Sequence, residues 1–413
     1  MAESYKYLII GGGASGTTAG ETIRQKDSES SIAIVSDEAH ALYSRVMLSK
    51  PNFFLEKIPF DQIFLKGDEW YKKNKITFIN NETTISLDKA NKVVTLSSGK
   101  KVSYEKLLVA TGVRARPWNV PGADKKGVYS LRTLEDGKAI IDAIKTAKTA
   151  ICIGGGFIGF EMADLMKLAG LDTTMLLRES YFWEPTLDRA SGDMIEKALE
   201  KTGIIIKKNA EVAEVIGGNN VEGVILKDGT KMQCEIVIAG IGVIPASLDW
   251  LKEAGININK GIIANEYLET DTPNIWTAGD IAEYKDIILE ESIQLGNWVN
   301  AREQGRIAAL NMVGEKTPFK FVSFYTTQGV DINIAFIGDS RPLPDRIVIQ
   351  RGSPEINSCA RILIVGKELV GVTMINRTSE LTSLAKIIEK NIDISEKYKE
   401  LADPDFDLKS LLK

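Results

Sequence analysis

The chain has 413 residues, 44% of them hydrophobic and 26% charged, and carries a net charge of −5. That length exceeds what a single core serves and predicts two or three domains. The acidic balance excludes the basic footprint of a nucleic-acid binder, and no apolar run approaches the roughly 20 residues of a membrane span.

In chain order, the apolar run "YKYLII" predicts a buried parallel strand and leads into Gly11-x-Gly13-x-x-Gly16, with Ala14 and Ser15 between the glycines. Strand, glycine turn and helix together form a dinucleotide cradle: the turn brings backbone close to a pyrophosphate, and unpaired N–H groups at the helix start face its charge. The next strand, "SIAIVSDE", ends in Asp37 and Glu38; Asp37 lies 21 residues past Gly16, the spacing at which an acid meets the ribose hydroxyls. Either of the two fits. His40, the sole histidine, comes next and reads as a surface residue.

Further on, "KVVTLSSGKKVSYEKLLVATG" predicts a hairpin turning at Ser98-Gly99 and a strand running into Ala110, Thr111 and Gly112. After "RARPWNVPG", the strand "TAICI" opens a second cradle, Gly154-x-Gly156-Phe157-Ile158-Gly159. Two cradles imply two dinucleotides. Arg178 ends the following strand, 19 residues past Gly159, where a cation selects a 2′-phosphate and an acid, such as adjacent Glu179, selects against it. "CEIVIAGIGVIP" places Gly242 at a strand mouth, "IWTAGD" brings Gly279 and Asp280, and a helix over "NWVNAREQGRIAALNMVG" comes after them. From about Phe321, short alternating runs predict an antiparallel domain, and the charged tail after Glu396 is expected to pack peripherally. Cys152, Cys234 and Cys359 lie far apart with no CxxC, so no metal site and no redox disulfide are expected. Cys152 and Cys234 read as buried fillers. With no signal peptide before the first strand, the cytoplasm is the default location.

Taken together, Gly11 to Gly16, "LLVATG", "GGGFIGFE", "IVIAGIGVIP" and "IWTAGD" resemble, in order and over nearly the whole chain, the FAD-dependent pyridine nucleotide-disulfide oxidoreductase superfamily. The resemblance implies an α/β fold: two Rossmann-like domains, one for FAD (1–113 and 247–320) and one for NAD(P)H (114–246), an α+β interface domain at 321–395, and a tail at 396–413. The first cradle then holds FAD and the second NAD(P)H. Asp280 would bond the ribityl chain, and Trp298 would meet the flavin ring. Thr84, Ala110, Thr111, Gly112, Arg116, Gly242, Gly279 and Asn297 complete the expected cofactor contacts.

"LYSRVMLSK" is similar to the YxRPxLSK segment of the ferredoxin- and rubredoxin-reductase branch, with Val46 in place of its proline. That likeness implies that Arg45 contacts FAD and that Lys50 and Glu161 form a catalytic cation–anion pair beside the reacting rings. "FYTTQG" resembles the "FWSD" segment that passes the flavin in this branch, with Tyr325 standing for its tryptophan and Thr327 for its aspartate. The implied activity carries hydride from NAD(P)H, NADPH favoured, to FAD and then electrons to a small redox protein of the rubredoxin or ferredoxin kind. Oxygen, a quinone-like radical or a nitrite-reducing partner stay open as acceptors, as does a redox-sensing role like that of apoptosis-inducing factor. A homodimer is also left open. Arg341, Arg346, Arg351 and Arg361 are read as surface residues or as a docking face for an acidic carrier.

Overall fold

The structure is a computed structural model that describes residues 3–246 and 248–413; Met1, Ala2 and Ser247, at the edges of the expected FAD segments, lie outside the described residues. By its contacts the chain divides into two compact units. One comprises Met1–Ser44, Asp61–Arg114 and Ile244–Ser323, and the other Arg45–Phe60, Ala115–Val243 and Phe324–Lys413.

In the first unit, Glu3–Ile10 pairs in parallel with Ile32–Val35 on one side and Lys101–Val109 on the other, and Ile76–Ile79 extends the sheet beyond Ile32–Val35. Strands buried on both faces require continuous apolar runs, and the faces alternate accordingly. Ile9, Ile34 and Leu108 pack with Ile23 and Ala308, whereas Leu8, Ala33 and Leu107 pack with Trp250, Leu251 and Ile256. The long strand Lys101–Val109 serves two neighbours: its start pairs antiparallel with Val93–Leu96, completing the expected hairpin, and its end pairs in parallel with Ile275–Thr277. Gly99 turns the hairpin at φ 81°, a conformation that glycine adopts without a Cβ penalty.

The second unit holds a five-stranded parallel sheet in the order Ile205–Lys207, Asp172–Leu176, Thr149–Ile153, Ile236–Ala239 and Val128–Tyr129. An antiparallel three-stranded sheet spans Val212–Ile216, Gly223–Leu226 and Lys231–Gln233. Its Val215 and Val224, with Val221 from the connection between their strands, share a core with Ile151, Cys234 and Val237. Cys152 and Cys234 are 0% and 2% exposed, the buried fillers that their strand contexts predict. The alternating runs near the C-terminus form a five-stranded antiparallel sheet in the order Phe324–Gly329, Ile332–Gly338, Glu368–Ile375, Ser358–Val365 and Ile347–Ser353.

Two expectations about the C-terminal region need correction. The segment after Glu396 is not peripheral: Leu401 and Leu408 are buried, and the guanidinium of Arg351, 1% exposed, donates to the carbonyls of Leu401, Asp403, Pro404 and Phe406. The charge of Arg351 is met by a two-pronged contact with Glu380 at 2.9 and 3.0 Å. A buried guanidinium needs nearly all its donors satisfied, and the tail supplies the acceptors that one carboxylate cannot. Nor are the four arginines all surface residues. Arg346 is buried against Asp339, which also binds Arg341, and Arg361 reaches the carbonyl of Thr186 at 2.9 Å.

Candidate functional site

The two glycine turns are built alike. Gly11 has φ 122° and Gly154 has φ 95°. A Cβ on Gly11 would strike the carbonyl oxygen of Ala110 at 2.1 Å, and one on Gly154 that of Gly240 at 2.4 Å. The third glycines close the turns, since a Cβ on Gly16 or Gly159 would lie 1.9 Å from the oxygen of Gly11 or Gly154. The middle glycines differ from these: nothing lies within 4 Å of a Cβ on Gly13 or Gly156, so each turn opens on free space at the point where the backbone should meet a phosphate.

The helices behind the turns, Ala14–Lys26 and Phe157–Leu168, carry no side-chain cap and no acid in the first turn. The helices starting at Leu134, Arg189 and Trp298 are capped by Thr133, Asp188 and Asn297, whereas the helix Leu381–Glu389 is, like the two cradle helices, uncapped. A helix start without a cap leaves N–H groups for another acceptor, and at both cradles an anion fits.

In the first unit, the hydroxyls of Ser15 and Thr84 are buried without a hydrogen-bond partner, which suits a polar ligand more than a closed core. Gly279 (φ 84°) sits against Ser15, 3.2 Å from a Cβ on the glycine to the Ser15 Cβ, and its N–H donates to Gln304 at 2.7 Å. Of the two acids after the second strand, Asp37 is exposed, whereas Glu38 accepts from the Tyr43 hydroxyl at 2.6 Å. Thr111 donates to the carbonyl of Ala246 at 3.2 Å, and the Gly112 carbonyl accepts from the Ala246 N–H at 3.0 Å. Asp280 is half-buried and Trp298 is the first residue of its helix. Asn297 caps that helix through the Asn300 N–H and donates to Ser323 at 2.6 Å.

In the second unit, Lys50 and Glu161 are brought together. The Lys50 ammonium donates to Glu161 Oε1 at 2.6 Å, with side chains 26% and 3% exposed. Two hydroxyls join them: Thr327 donates to the same Oε1 at 2.6 Å, and Ser49 donates to Oε2. Removing one partner from a buried charge costs about 3–5 kcal/mol, so this convergence of donors is what lets Glu161 occupy the helix's inner face. Tyr325, on the strand that carries Thr327, lies 3.8 Å between ring centroids from Phe157. Burial, reinforced by the nearby Glu161 charge, pushes the Tyr325 hydroxyl well above the usual tyrosine range, leaving it a neutral phenol.

Arg45 donates to the carbonyl of Arg132. Arg116 is exposed and reaches the Val243 carbonyl at 3.5 Å, beside Gly242 at φ 94°. Arg178 is 77% exposed and pairs with Glu179 at 3.0 Å. Sequence reasoning misses Ser49 and the donor role of Thr327. A serine before Lys50 has no periodic signal, and Thr327 stands out only as a departure from a motif. Among the described residues no group of side chains is arranged to hold a metal, and no helix is long and apolar enough to cross a membrane.

Residues 5–305 match the family described as pyridine nucleotide-disulphide oxidoreductase, and residues 323–412 match the reductase C-terminal family. The chain is 32% identical to the nitrite reductase [NAD(P)H] of Bacillus subtilis over 95% of its own length, but spans only 48% of that protein. It is 28% identical to the ferredoxin–NAD(+) reductase component of the biphenyl dioxygenase system of Paraburkholderia xenovorans, covering 98% of each chain. The crystal structure of a ferredoxin reductase from Rhodopseudomonas palustris superimposes with a TM-score of 0.91 at 26% identity, covering 98% of this chain and 99% of the other. With two cradles of one design and a family match over most of its length, the chain belongs to the pyridine nucleotide-disulphide oxidoreductase family.

Proposed function

We propose that this protein is an FAD-containing, NAD(P)H-dependent oxidoreductase that passes electrons to a small iron–sulfur or rubredoxin-type protein. The observation that carries the reading is the pairing of two uncapped glycine cradles with a buried Lys50–Glu161 ion pair. Gly11, Gly13 and Gly16, with Ser15, Thr84, Gly279 and Asp280, would hold FAD; Gly154, Gly156 and Gly159 would hold NAD(P)H. When bound, FAD accepts two electrons together from the nicotinamide and releases them singly, which is the chemistry that a one-electron acceptor requires.

The protein's own part is placement and electrostatics. Lys50 would set a positive charge for a nicotinamide held by the second cradle, and Glu161 fixes where that charge sits. Tyr325 and Phe157 supply an apolar wall that keeps water away. No cysteine takes part: burial pushes the Cys152 and Cys234 thiols up to about 12 and raises that of buried Cys359 as well, so they are inert as nucleophiles. Arg178, exposed at its strand end, favours NADPH over NADH.

A second acceptor class is favoured by the nitrite reductase relative, of which this chain spans 48%: a separate nitrite-reducing protein. Mixing NADPH-reduced protein with rubredoxin, a [2Fe–2S] ferredoxin, nitrite-reducing protein or oxygen in a stopped-flow cell separates these. Reduction of a carrier at least tenfold faster than of oxygen is the expected result; fast oxygen reduction with no carrier reduction would refute it.

A further inference from the structure

We propose that Thr327 and Ser49 are positioning residues that lock the carboxylate plane of Glu161 and thereby give the Lys50 ammonium a single resting place. The inference rests on the functional reading above and names residues which that reading does not use.

A glutamate's terminal torsion is broad and nearly free, and a lysine ammonium on its four-carbon stem is a mobile point charge. An ion pair of these two alone fixes neither partner well. Here both carboxylate oxygens are claimed by hydroxyls from separate segments. Ser49, the residue preceding Lys50, binds Oε2. Thr327, on the strand Phe324–Gly329, binds Oε1 at 2.6 Å. A line through two oxygens held at both ends cannot rotate without breaking a hydrogen bond, so one acceptor direction remains on Oε1, and Lys50 occupies it at 2.6 Å.

The residue type at 327 matters for the same reason. An aspartate, which the resembling segment carries there, would set acceptor against acceptor. Threonine is a donor, 4% exposed, whose side-chain hydroxyl is spent on Glu161. Its backbone is held in the antiparallel pair with Ile332–Gly338, Thr327 opposite Ile334, so the hydroxyl cannot drift away from the carboxylate.

The test compares Thr327→Val, nearly isosteric but without the hydroxyl, with Thr327→Ser, which keeps it. Crystal structures of the holoenzyme variants read the geometry, and anaerobic single-turnover mixing with NADPH reads flavin reduction. In Thr327→Val the Lys50 ammonium is expected in more than one conformer, with reduction slowed about tenfold and the NADPH dissociation constant within twofold. Thr327→Ser should restore both. An undisturbed Lys50–Glu161 pair, or a disturbed pair with wild-type reduction, would overturn the proposal. If Thr327→Val does not fold, Ser49→Ala releases the opposite oxygen and is expected to loosen Lys50 and slow reduction in the same way; unchanged geometry or rate there is equally fatal. A wild-type flavin that NADPH does not reduce refutes the functional reading instead, and the crystallographic comparison still stands by itself.

Discussion

The two glycine cradles share a backbone and differ in the helices behind it. Behind the first turn the helix begins Ala14-Ser15-Gly16-Thr17, and every one of these is buried. It packs so closely on the helix Trp298–Val313 that a Cβ on Gly305 would lie 2.2 Å from the Ser15 carbonyl oxygen. Behind the second turn the helix begins Phe157-Ile158-Gly159-Phe160-Glu161 and presents an aromatic ring and a carboxylate met by three donors. Small residues make the first cradle a tight, inert seat, suited to a group that stays bound. The ring and the carboxylate of the second would, on the proposed function, make it a working surface for a group that arrives, reacts and leaves.

The most drastic way to break this comparison is to add one methyl group to each turn. Gly16→Ala places its Cβ 1.9 Å from the Gly11 oxygen, and the purified variant is expected to be colourless. Gly159→Ala makes the same clash with Gly154 but should keep its yellow band while losing at least tenfold in NADPH affinity, measured by titration. Equal flavin loss in both variants would erase the distinction between seat and working surface.

Next in size is Glu161→Gln. It leaves the first cradle untouched, so flavin content should not change, whereas single-turnover reduction by NADPH should fall by about 100-fold, the scale of a misplaced reacting group. Arg178→Glu sharpens the picture of the second cradle further. It should shift the NADPH-to-NADH preference by about tenfold toward NADH, read as the ratio of kcat/KM values, and an indifferent variant would leave nucleotide choice to other residues.

The smallest effect lies outside both cradles, in the C-terminal sheet. Burial works to raise the Asp339 carboxyl, but the guanidinium groups of Arg341 and Arg346 outweigh it and hold it at about 2. A depressed carboxyl stabilises the fold fully above the unfolded value of about 3.9 and loses that contribution as pH falls toward 2. Thermal stability should therefore drop between about pH 4 and 2, and Asp339→Asn should remove this part of the drop. Flavin content at neutral pH should be unaffected by the change.

Much of this is legible in the sequence because it is local. Gly11 to Gly16 and Gly154 to Gly159 declare their turns within six residues, and the strands before them declare burial by unbroken apolar runs. Lys50 and Glu161 are paired by resemblance, and their contact is present at 2.6 Å. The hidden part depends on contacts distant in the chain. The hydroxyl of Thr327 reaches Glu161 across 166 positions, and nothing in the texture of "FYTTQG" distinguishes a surface threonine from a buried donor. Arg351 reads as one more surface cation because its acceptors are main-chain carbonyls of the tail, and carbonyls have no sequence signature. The segment Arg45–Phe60 clusters with the second unit although it comes after the first cradle in the chain, a consequence of packing that no periodicity encodes.

The central claim is that the first cradle retains a flavin and the second delivers electrons to it. Anaerobic titration of the purified protein with NADPH tests this directly. The account predicts yellow protein whose visible band bleaches completely at one equivalent of NADPH per flavin. Protein that is colourless and takes up no FAD, or a bound flavin that stays oxidised while NADPH binds, would contradict it.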